Sequence, residues 1–450
     1  MAWGSNTSLS PQLHDEALQL VQKRAETTFG AVWHTEVSAP PASLRTILLT
    51  KMNDLTFAEV ESESAKTLTG DKLFVVSVTE DRGSFRVQSR ELDCRSREWG
   101  PQLEESVSHL DAVPLAAWDL IVKAFLPVVK IETVDGKTLT ARLRAGGLIT
   151  SAESPASVFP EDVLRPIIRR NDRAGNPLPS GIQSPDWTVL RVLSREQSKL
   201  ICELASGYRY PIPTKGGQRT ERFAILIRQV SPSTRLVLQS RSQPPRPLSG
   251  YQIFGSTPSS TAPQLLGATD VNGAFVLPAT DGRLQSLLVR SGSQLLARLP
   301  LVPGQAAEMT ATVIDDRGRL QAEGFVLALQ SRVMDLVARR ELLAARFRAR
   351  LAAGKLDEAQ SLLEEYRLLE TRADLGRVLT SQQQQISSTD RTTQVRIERL
   401  FSDARQLLQK FLDPETANAM ARDLAVARSK PAAAKGAKTS VRPAAPAKVP

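Results

Sequence analysis

Few residues of this chain have the types and spacing that chemistry requires. Its 450 residues include three histidines and two cysteines, which are His14, His34, His109, Cys94 and Cys202. The cysteines form no Cys-x-x-Cys pair, so a zinc site of the usual Cys/His type is nearly excluded, and two separate buried thiols are favoured over a disulfide. A catalytic triad can be assembled from distant residues, but no Gly-x-Ser-x-Gly elbow accompanies the histidines. We interpret them as surface or hydrogen-bonded side chains.

Two turn-like segments contain residue types that bind phosphate or calcium in other proteins. Lys215-Gly-Gly-Gln-Arg219 is basic, but it does not match the glycine-rich loops that hold nucleotides, and we predict a hairpin loop. Asp270 and Asn272 could ligate calcium, but Phe275 occupies the position at which an EF-hand requires glycine. We predict instead that Asp270 and Asn272 bond to the backbone of their own turn. No catalytic, cofactor-binding or metal-binding residue is predicted, and no cofactor.

The basic charge of the chain is concentrated at its end. The formal net charge is +10 and the isoelectric point is near 9.8. Residues 429–450 contain no acidic residue and five cations, which are Lys430, Lys435, Lys438, Arg442 and Lys448. Apolar side chains are too few in this segment to form a core, which predicts a disordered basic tail. The five cations are candidate contacts for weak binding of a polyanion.

A second set of cations lies on the first of the helices predicted near the end of the chain. Its members are Arg332, Arg339, Arg340, Arg346, Arg348 and Arg350. We interpret them as a solvated helix face that pairs with Glu341 of the same helix and with Asp357 and Glu364 of the next. A nucleic-acid face is the alternative, but aromatic residues for base stacking are nearly absent there.

The length of the chain favours about three domains, and its patterns predict a multidomain α+β protein. We expect β-rich modules with hairpins and a small barrel or sandwich, then a helical hairpin or bundle, then the tail. The predicted divisions are an α+β domain with an N-terminal helix (10–148), a linker (149–186), a small β domain (187–243), a β-sandwich (246–316), a helical region (320–428) and the tail (429–450). Pro, Ser, Asn and Gly residues mark the linker, in which Val163 to Arg169 is predicted as a short ordered piece. Pro244-Pro-Arg-Pro247 marks a stiff junction.

Local patterns predict individual elements within these divisions. Ser10-Pro11 predicts the start of a first helix that runs to about Thr28. Leu73 to Val78 is a strong strand, and Asp81-Arg-Gly83 turns it into a hairpin. Residues 113–126 form an amphipathic helix that Pro127 ends, and a second hairpin surrounds Asp135-Gly136.

The most informative segment runs from Leu265 to Pro278, where two short strands flank Asn272-Gly273. These two residues can supply the positive φ angles of a type I′ hairpin turn. Gly267-Ala-Thr-Asp-Val-Asn-Gly-Ala-Phe-Val-Leu-Pro278 is similar to the Thr-Asp-x-x-Gly-x-Phe hairpin of carboxypeptidase-regulatory-like, transthyretin-like β-sandwich modules. The resemblance covers about residues 249–314. It implies an accessory domain of a secreted or cell-envelope protein, and it brings no catalytic residue.

Helical periodicity begins after Asp315-Asp-Arg-Gly318 and predicts three main helices. Apolar residues from Val326 to Leu351 define the first, Gly354 ends it, and a second helix follows to about Leu369. Gln382 to Gln385 is interpreted as a polar interruption. The third helix, from about Thr392 to Leu412, has a wide apolar stripe at positions 397, 400, 401, 404, 407, 408 and 411. That stripe requires a partner, which is either the preceding hairpin or a second copy of the chain.

These patterns favour a non-enzymatic scaffold or interaction protein that binds a protein partner or itself through the helical region. The alternatives are binding of a polyanion or nucleic acid through the basic tail, and an enzyme without a linear motif. No run of about 18 apolar residues predicts a membrane span. The start lacks a complete signal peptide. The expected location is therefore the cell envelope or the exterior if a leader precedes Met1, and the cytoplasm otherwise.

Overall fold

The computed structural model describes residues 2–5, 11–29, 33–149, 151–213, 217, 219–260 and 262–429. The chain divides between Val313 and Ile314 into two compact units. The first unit combines a mixed sheet with helices, a barrel and a sandwich, and the second is helical. This agrees with the predicted fold class of β-rich structure followed by a helical region.

The first subdomain of the N-terminal unit is a five-stranded sheet with helices on both faces. Its elements are β1 (Ala2–Ser5), α1 (Pro11–Phe29), α2 (Ala42–Lys51), α3 (Phe57–Ser64), β2 (Lys72–Asp81), β3 (Ser84–Asp93), β4 (Glu98–Trp99), β5 (Leu103–Val107) and α4 (Val113–Ala124). Strand β1 pairs with β2 in parallel, and β3 pairs antiparallel with β2, β4 and β5.

Alternation along β2 distributes its side chains between the two helical layers, as the pleat of a strand requires. Leu73 and Val75 pack with the core of α2 and α3, whereas Val76 and Val78 pack with α1 and α4. The predicted hairpin is present, and its turn residues Arg82 and Gly83 both have positive φ angles. The two-residue turn with both φ angles positive therefore occurs here.

The second subdomain is a closed antiparallel barrel of six strands with a seventh strand appended. Its strands are β6 (Val128–Asp135), β7 (Thr138–Leu143), β8 (Val163–Asn171), β9 (Pro177–Gln183), β10 (Thr188–Glu196), β11 (Lys199–Ser206) and β12 (Thr220–Leu226). Pairing runs in the order β6, β7, β11, β10, β8, β12 and back to β6, while β9 adds to β8. Aliphatic side chains and the buried Cys202 thiol fill the interior.

The predicted ordered piece from Val163 to Arg169 is part of β8, but its assignment to a linker over 149–186 is wrong, because β8 and β9 belong to the barrel sheet. Strand β8 pairs with both β10 and β12 and closes the barrel. Its apolar residues Val163, Leu164, Ile167 and Ile168 are buried, but Pro166 and the Pro- and Gly-rich flanks give the segment the composition of a linker. The predicted boundary at residue 148 therefore divides a barrel.

The third subdomain is a two-sheet β-sandwich. Its strands are β13 (Ser233–Ser240), β14 (Gln252–Ser256), β15 (Gln264–Ala268), β16 (Ala274–Pro278), β17 (Gln285–Ser291), β18 (Gln294–Leu301) and β19 (Glu308–Val313). One sheet has the order β16-β13-β19 and the other β15-β14-β17-β18, and one apolar core lies between them. The sandwich therefore begins at β13, and the predicted boundary at 243–246 is wrong.

The segment from Leu265 to Pro278 is not the predicted hairpin. Strand β15 pairs with β14, whereas β16 pairs with β13 in the opposite sheet. Gly273 has a positive φ of 72°, but Asn272 does not share it. Instead, the Asp270 carboxylate accepts hydrogen bonds from the N–H groups of Asn272 and Ala274. The turn chemistry predicted for Asp270 is present, and the turn leads the chain from one sheet to the other.

The three subdomains of the first unit share apolar contacts and are not independent modules in series. Leu284 and Val302 of the sandwich region cluster with Val163 and Val189 of the barrel. Leu126, which follows α4, clusters with Phe223 and other residues on the outside of the barrel. Pro247 forms an isolated antiparallel β-bridge with Gln239 inside the sandwich, so the proline-rich segment is a loop of the sandwich.

The described residues of the second unit, up to Ser429, form five helices. They are α5 (Arg317–Ala352), α6 (Leu356–Leu368), α7 (Arg372–Gln385), α8 (Arg391–Phe411) and α9 (Glu415–Ser429). Gly354, with φ 73°, follows the end of α5 as predicted. The interpretation of Gln382 to Gln385 as an interruption is wrong, because these residues complete α7. Thr371 caps this helix and only Leu375 and Leu379 of it are buried, so its apolar periodicity is weak.

Candidate association surface

The 36-residue helix α5 organises the second unit through one buried face. Its buried apolar residues recur mostly at steps of four and three, with one step of seven, which is the heptad pattern of a coiled-coil seam. They include Ala322, Val326, Leu329, Val333, Leu336, Leu343 and Phe347. The sequence analysis predicted this face from Val326 onward.

Two sets of helices cover the buried face of α5. Its first half shares a core with α7 and α8, and its second half shares another with α6 and α9. At the junction, the Arg340 guanidinium lies over the ring of Tyr366 and donates to the Glu370 carbonyl at 2.7 Å. The buried apolar face of α5 is thus covered by helices of its own unit.

The opposite face of α5 carries a second apolar series that the unit leaves exposed. Leu320, Leu327 and Met334 are 45%, 63% and 66% exposed and lie seven residues apart. The small residues Gly324, Ser331 and Ala338 lie between and after them and are also exposed. We call these six residues the outer stripe. A methyl group placed on Gly324 would meet open space.

Charged residues stand at the two ends of the outer stripe and beside it. Arg317 precedes Leu320 by three residues, Glu341 follows Ala338 by three, and both are exposed. Beside the stripe, Arg332 pairs with Glu370 of the α6–α7 connection. Asp335, next to Met334, is also exposed. The surface therefore presents an apolar series with a positive charge at one end and negative charges at the other end and beside Met334.

The apolar stripe predicted on the third helix has the internal partner that the sequence analysis described. Ile397, Phe401, Ala404 and Leu408 of α8 are buried in the core shared with α5 and α7. Phe411, at the end of α8, is 49% exposed. Helices α5 and α7 thus cover the stripe, and the exposed apolar series described above lies on α5 instead. Its heptad spacing was visible in the sequence, but the stronger buried series on the same helix concealed it.

Two of the six arginines predicted on α5 pair with acidic residues of α6 or just after it. Arg332 contacts Glu370, and Arg350 lies 3.1 Å from Glu358. The predicted partners Asp357 and Glu364 are therefore not the ones used by these two arginines. The solvated, paired interpretation of this face holds for both.

The five cations predicted as polyanion contacts lie outside the described residues. Lys430, Lys435, Lys438, Arg442 and Lys448 all follow Ser429, where α9 ends. Their proposed role therefore stays a prediction from the sequence.

A buried ionic cluster in the first unit ties its sheet to the start of the barrel. The Lys72 ammonium contacts the Glu91 carboxylate and donates to the Leu126 carbonyl at 2.7 Å. Glu91 accepts the Leu126 N–H at 2.6 Å, and burial raises the pKa of its carboxyl group to about 6. Each group is held by backbone or an opposite charge, which suits a structural tie between β2, β3 and the chain after α4.

A cleft of about 550 Å³ in the first unit contains the carboxylates Glu161, Asp162 and Asp281. Glu161 lies 3.1 Å from Arg191, and Asp162 accepts the Phe159 N–H at 2.7 Å. Burial raises the pKa of Asp162. Two of the three carboxylates thus fix local structure, and the geometry of the cleft points to no particular reaction.

The two cysteines are not bonded to each other, and the described residues of metal-binding types do not gather into a metal site. Cys94 and Cys202 are both free thiols, and burial raises the pKa of each to about 12. Across the described ranges, no group of three or more His, Cys, Asp or Glu residues could hold a metal ion. None of the helices in the described part of the chain combines the length and apolar character that a membrane crossing requires.

Comparison with known proteins finds only distant structural likeness. No protein-family model matches the chain, and no curated protein matches it. The chain is similar to the crystal structure of TolB from Acinetobacter baumannii, with 11% identity and a TM-score of 0.17 over 68% of this chain and 94% of that one. It is also similar to BcpA, the major pilin subunit of Bacillus cereus, with 8% identity and a TM-score of 0.13 over 54% of this chain and 70% of that one. At these values the likenesses assign neither family nor function.

Proposed function

We propose that this protein is a non-enzymatic scaffold or interaction protein that associates with a protein partner through its helical unit. The observation that carries the proposal is the outer stripe of α5. It lies opposite a seam that is already buried, so the helix has a second apolar face without a role in its own fold. Exposed apolar series of this kind mark association surfaces in soluble proteins.

The energetics of the stripe support association. Removing a leucine or methionine side chain from water contributes roughly 1.5–3 kcal/mol, and the stripe presents three such side chains in a row along one helix. A helix face with large residues alternating with small ones fits another helix, because large side chains enter the spaces beside small ones. The expected partner element is therefore a helix.

The proposal is tested by photo-crosslinking in the full chain. A photoreactive amino acid replaces Leu327 in the stripe, and a matched variant carries it at the exposed Ser361 of α6. We expect discrete crosslinked protein species from position 327 and not from position 361, in cells that express the protein at its native level. Equal and diffuse labelling at the two positions would contradict an association surface on α5.

The identity of the sandwich and the compartment are part of the same proposal. Seven strands in two sheets over residues 233–313 are compatible with a transthyretin-like module, and the Thr269-Asp270 turn that precedes Gly273 supports it. The sequence resemblance to that family favours the cell envelope. Fractionation of cells by osmotic shock and membrane sedimentation tests this placement, and recovery only with cytoplasmic markers would overturn it.

A further inference from the structure

A half-buried cation and a half-buried anion lie side by side where β12 ends and β8 begins. The Ile227 N–H donates to the Val163 carbonyl at 2.8 Å, so the antiparallel register of the two strands continues past their last paired residues. That register places Arg228 opposite Asp162, and opposite residues of paired strands have Cβ atoms about 4.5–5.5 Å apart. Both residues line the cleft of about 550 Å³.

These two groups do not form an ion pair with each other or with another described residue. The Arg228 guanidinium donates through Nε to the Phe125 carbonyl at 3.3 Å, and it interacts with Asp162 and Glu91 only at a distance. Asp162 uses Oδ2 to accept the Phe159 N–H. Burial lowers the pKa of Arg228 and raises the pKa of Asp162. Each charged form would therefore be stabilised by an opposite charge placed in the cleft.

The backbone around the anion is fixed by the barrel. Val192 of β10 accepts the Glu161 N–H at 2.8 Å and donates to the Asp162 carbonyl at 2.9 Å. Glu161 has a positive φ of 75°, and strained conformations of this kind cluster at ligand-binding segments. Its carboxylate pairs with Arg191, so it does not neutralise Arg228. The site is thus largely preformed, and a ligand has little ordering cost to overcome.

A smaller pocket of about 240 Å³ adjoins the cleft and shares Arg228 with it. Its other charged residue, Arg165, pairs with Glu98 at 3.1 Å. The pocket is large enough for one apolar side chain. Its apolar lining residues are Trp99, Pro101, Leu126, Ile225, Leu226 and Ile227.

We propose that this site binds a free α-amino acid with an apolar side chain. The ligand carboxylate lies on the Arg228 guanidinium, whose planar fork suits it, and the ligand ammonium group lies against Asp162. The ligand side chain enters the smaller pocket. Few fixed polar groups beside apolar walls are typical of small-molecule sites, which occur preferentially between domains.

The arrangement of charges favours a zwitterion over a simple anion or cation. The carboxylate and the ammonium group of an α-amino acid are attached to one carbon atom, which matches the cross-strand spacing of Arg228 and Asp162. A ligand with only one of these charges would leave the other protein group half-buried and unpaired. The inference is independent of the proposed association function, because the cleft lies in the first unit and the outer stripe in the second.

The first experiment varies the ligand and leaves the protein unchanged. Isothermal titration calorimetry of the full chain should detect binding of L-leucine. N-acetyl-L-leucine lacks the ammonium group, L-leucinamide lacks the carboxylate and glycine lacks the side chain, so each should bind at least about tenfold more weakly. Equal affinity for the acetylated or the amidated form would overturn recognition of a zwitterion. So would the absence of binding by L-leucine, L-methionine and L-phenylalanine up to about 10 mM.

The second experiment places the ligand in the cleft. Asp162→Asn retains an oxygen for the Phe159 N–H, and both it and Arg228→Gln should raise the dissociation constant for L-leucine about tenfold or more. Asp281→Asn is the matched control, since this exposed carboxylate lines the same cleft, and it should leave the dissociation constant unchanged. Thermal unfolding without ligand shows which variants are folded. Unchanged affinity in the folded Asp162→Asn variant would overturn the assignment.

Discussion

Gly273 combines two constraints that only glycine satisfies. Its φ of 72° lies in the left-handed region, and a methyl group at its Cα would approach the Leu238 carbonyl oxygen to 2.5 Å. The first constraint was predicted from the turn, for a hairpin that does not form. The second arises because the turn between β15 and β16 passes against β13.

We therefore predict that Gly273→Ala destabilises the first unit more than Gly282→Ala. Gly282 has a similar φ of 73°, but nothing lies within 4 Å of a methyl group there. Backbone strain alone costs about 1–2 kcal/mol, and the collision at Gly273 should bring its loss above about 3 kcal/mol. Denaturant unfolding of the two variants measures the difference, and equal losses would contradict the close approach.

Glu91 makes the stability of the first unit depend on pH. Burial raises the pKa of its carboxyl group from 4.5 to about 6, so the folded state binds its proton more tightly than the unfolded state does. The stability from this proton is fully present below pH 4.5. It is lost as the pH rises to about 6.

We predict that Glu91→Gln removes this loss. Relative to the variant, the wild-type chain should lose about 2 kcal/mol of unfolding free energy between pH 4.5 and pH 6. Glu59→Gln is the control of opposite sign, since Lys51 and Thr56 lower the pKa of the partly exposed Glu59 to about 2. Its contribution is present above pH 4.5 and lost as the pH falls toward 2. A wild-type profile parallel to that of Glu91→Gln would exclude the buried cluster as the cause.

At the scale of elements, the helices of the second unit show how a single helix can present two apolar faces. Helix α5 buries one series against four neighbours and exposes the other. Helix α8 presents one series, and that series is covered. A wide stripe on a helix therefore predicts that a partner exists, but the number of neighbouring helices determines whether the partner is internal.

The internal cover of α8 predicts different costs at its two phenylalanines. Phe401 is fully buried and its ring stacks with that of Phe325 at a centroid distance of 6.0 Å, so Phe401→Ala should cost about 3–5 kcal/mol. Phe411 lies half-exposed at the end of the same helix, and Phe411→Ala should cost about 1 kcal/mol or less. Circular dichroism of the helical transition in denaturant measures both. Similar costs would mean that the α8 stripe is not covered as described.

At the scale of the whole molecule, the charge of the chain is divided unevenly. Residues 429–450 contain five cations and no acid out of a formal net charge of +10. The cations of α5 that were candidates for the same role include Arg332 and Arg350, which pair with neighbouring acids. Polyanion binding is therefore a property expected of the tail.

We predict weak, sequence-independent binding of duplex DNA that deletion of residues 430–450 abolishes. The deletion leaves α9 complete and removes five cations, so the slope of log affinity against log salt should fall from roughly −4 toward zero. Fluorescence anisotropy at several salt concentrations measures the slope. A Gly376→Leu variant, which retains the tail and adds a side chain in open space, is the control. Binding that survives the deletion would assign the role to the arginines of α5.

The sequence by itself determined the features that depend on neighbours along the chain. Periodicity, capping and turn residues predict the first helix, the turn at Arg82-Gly83, helix α4, the end of α5 at Gly354 and the buried series of α5. These signals are local, because a helix period or a positive-φ turn is decided by residues a few positions apart.

The tertiary structure decided which elements pair and which faces remain exposed. The segments that flank strand β8 have the composition of a linker, yet β8 closes a barrel between β10 and β12. Strands β15 and β16 enter different sheets across one short turn. Strand pairing depends on residues tens of positions away, and local composition does not encode it. The outer stripe of α5 was likewise visible as spacing, but only the packing of the other helices on the opposite face showed that it is exposed.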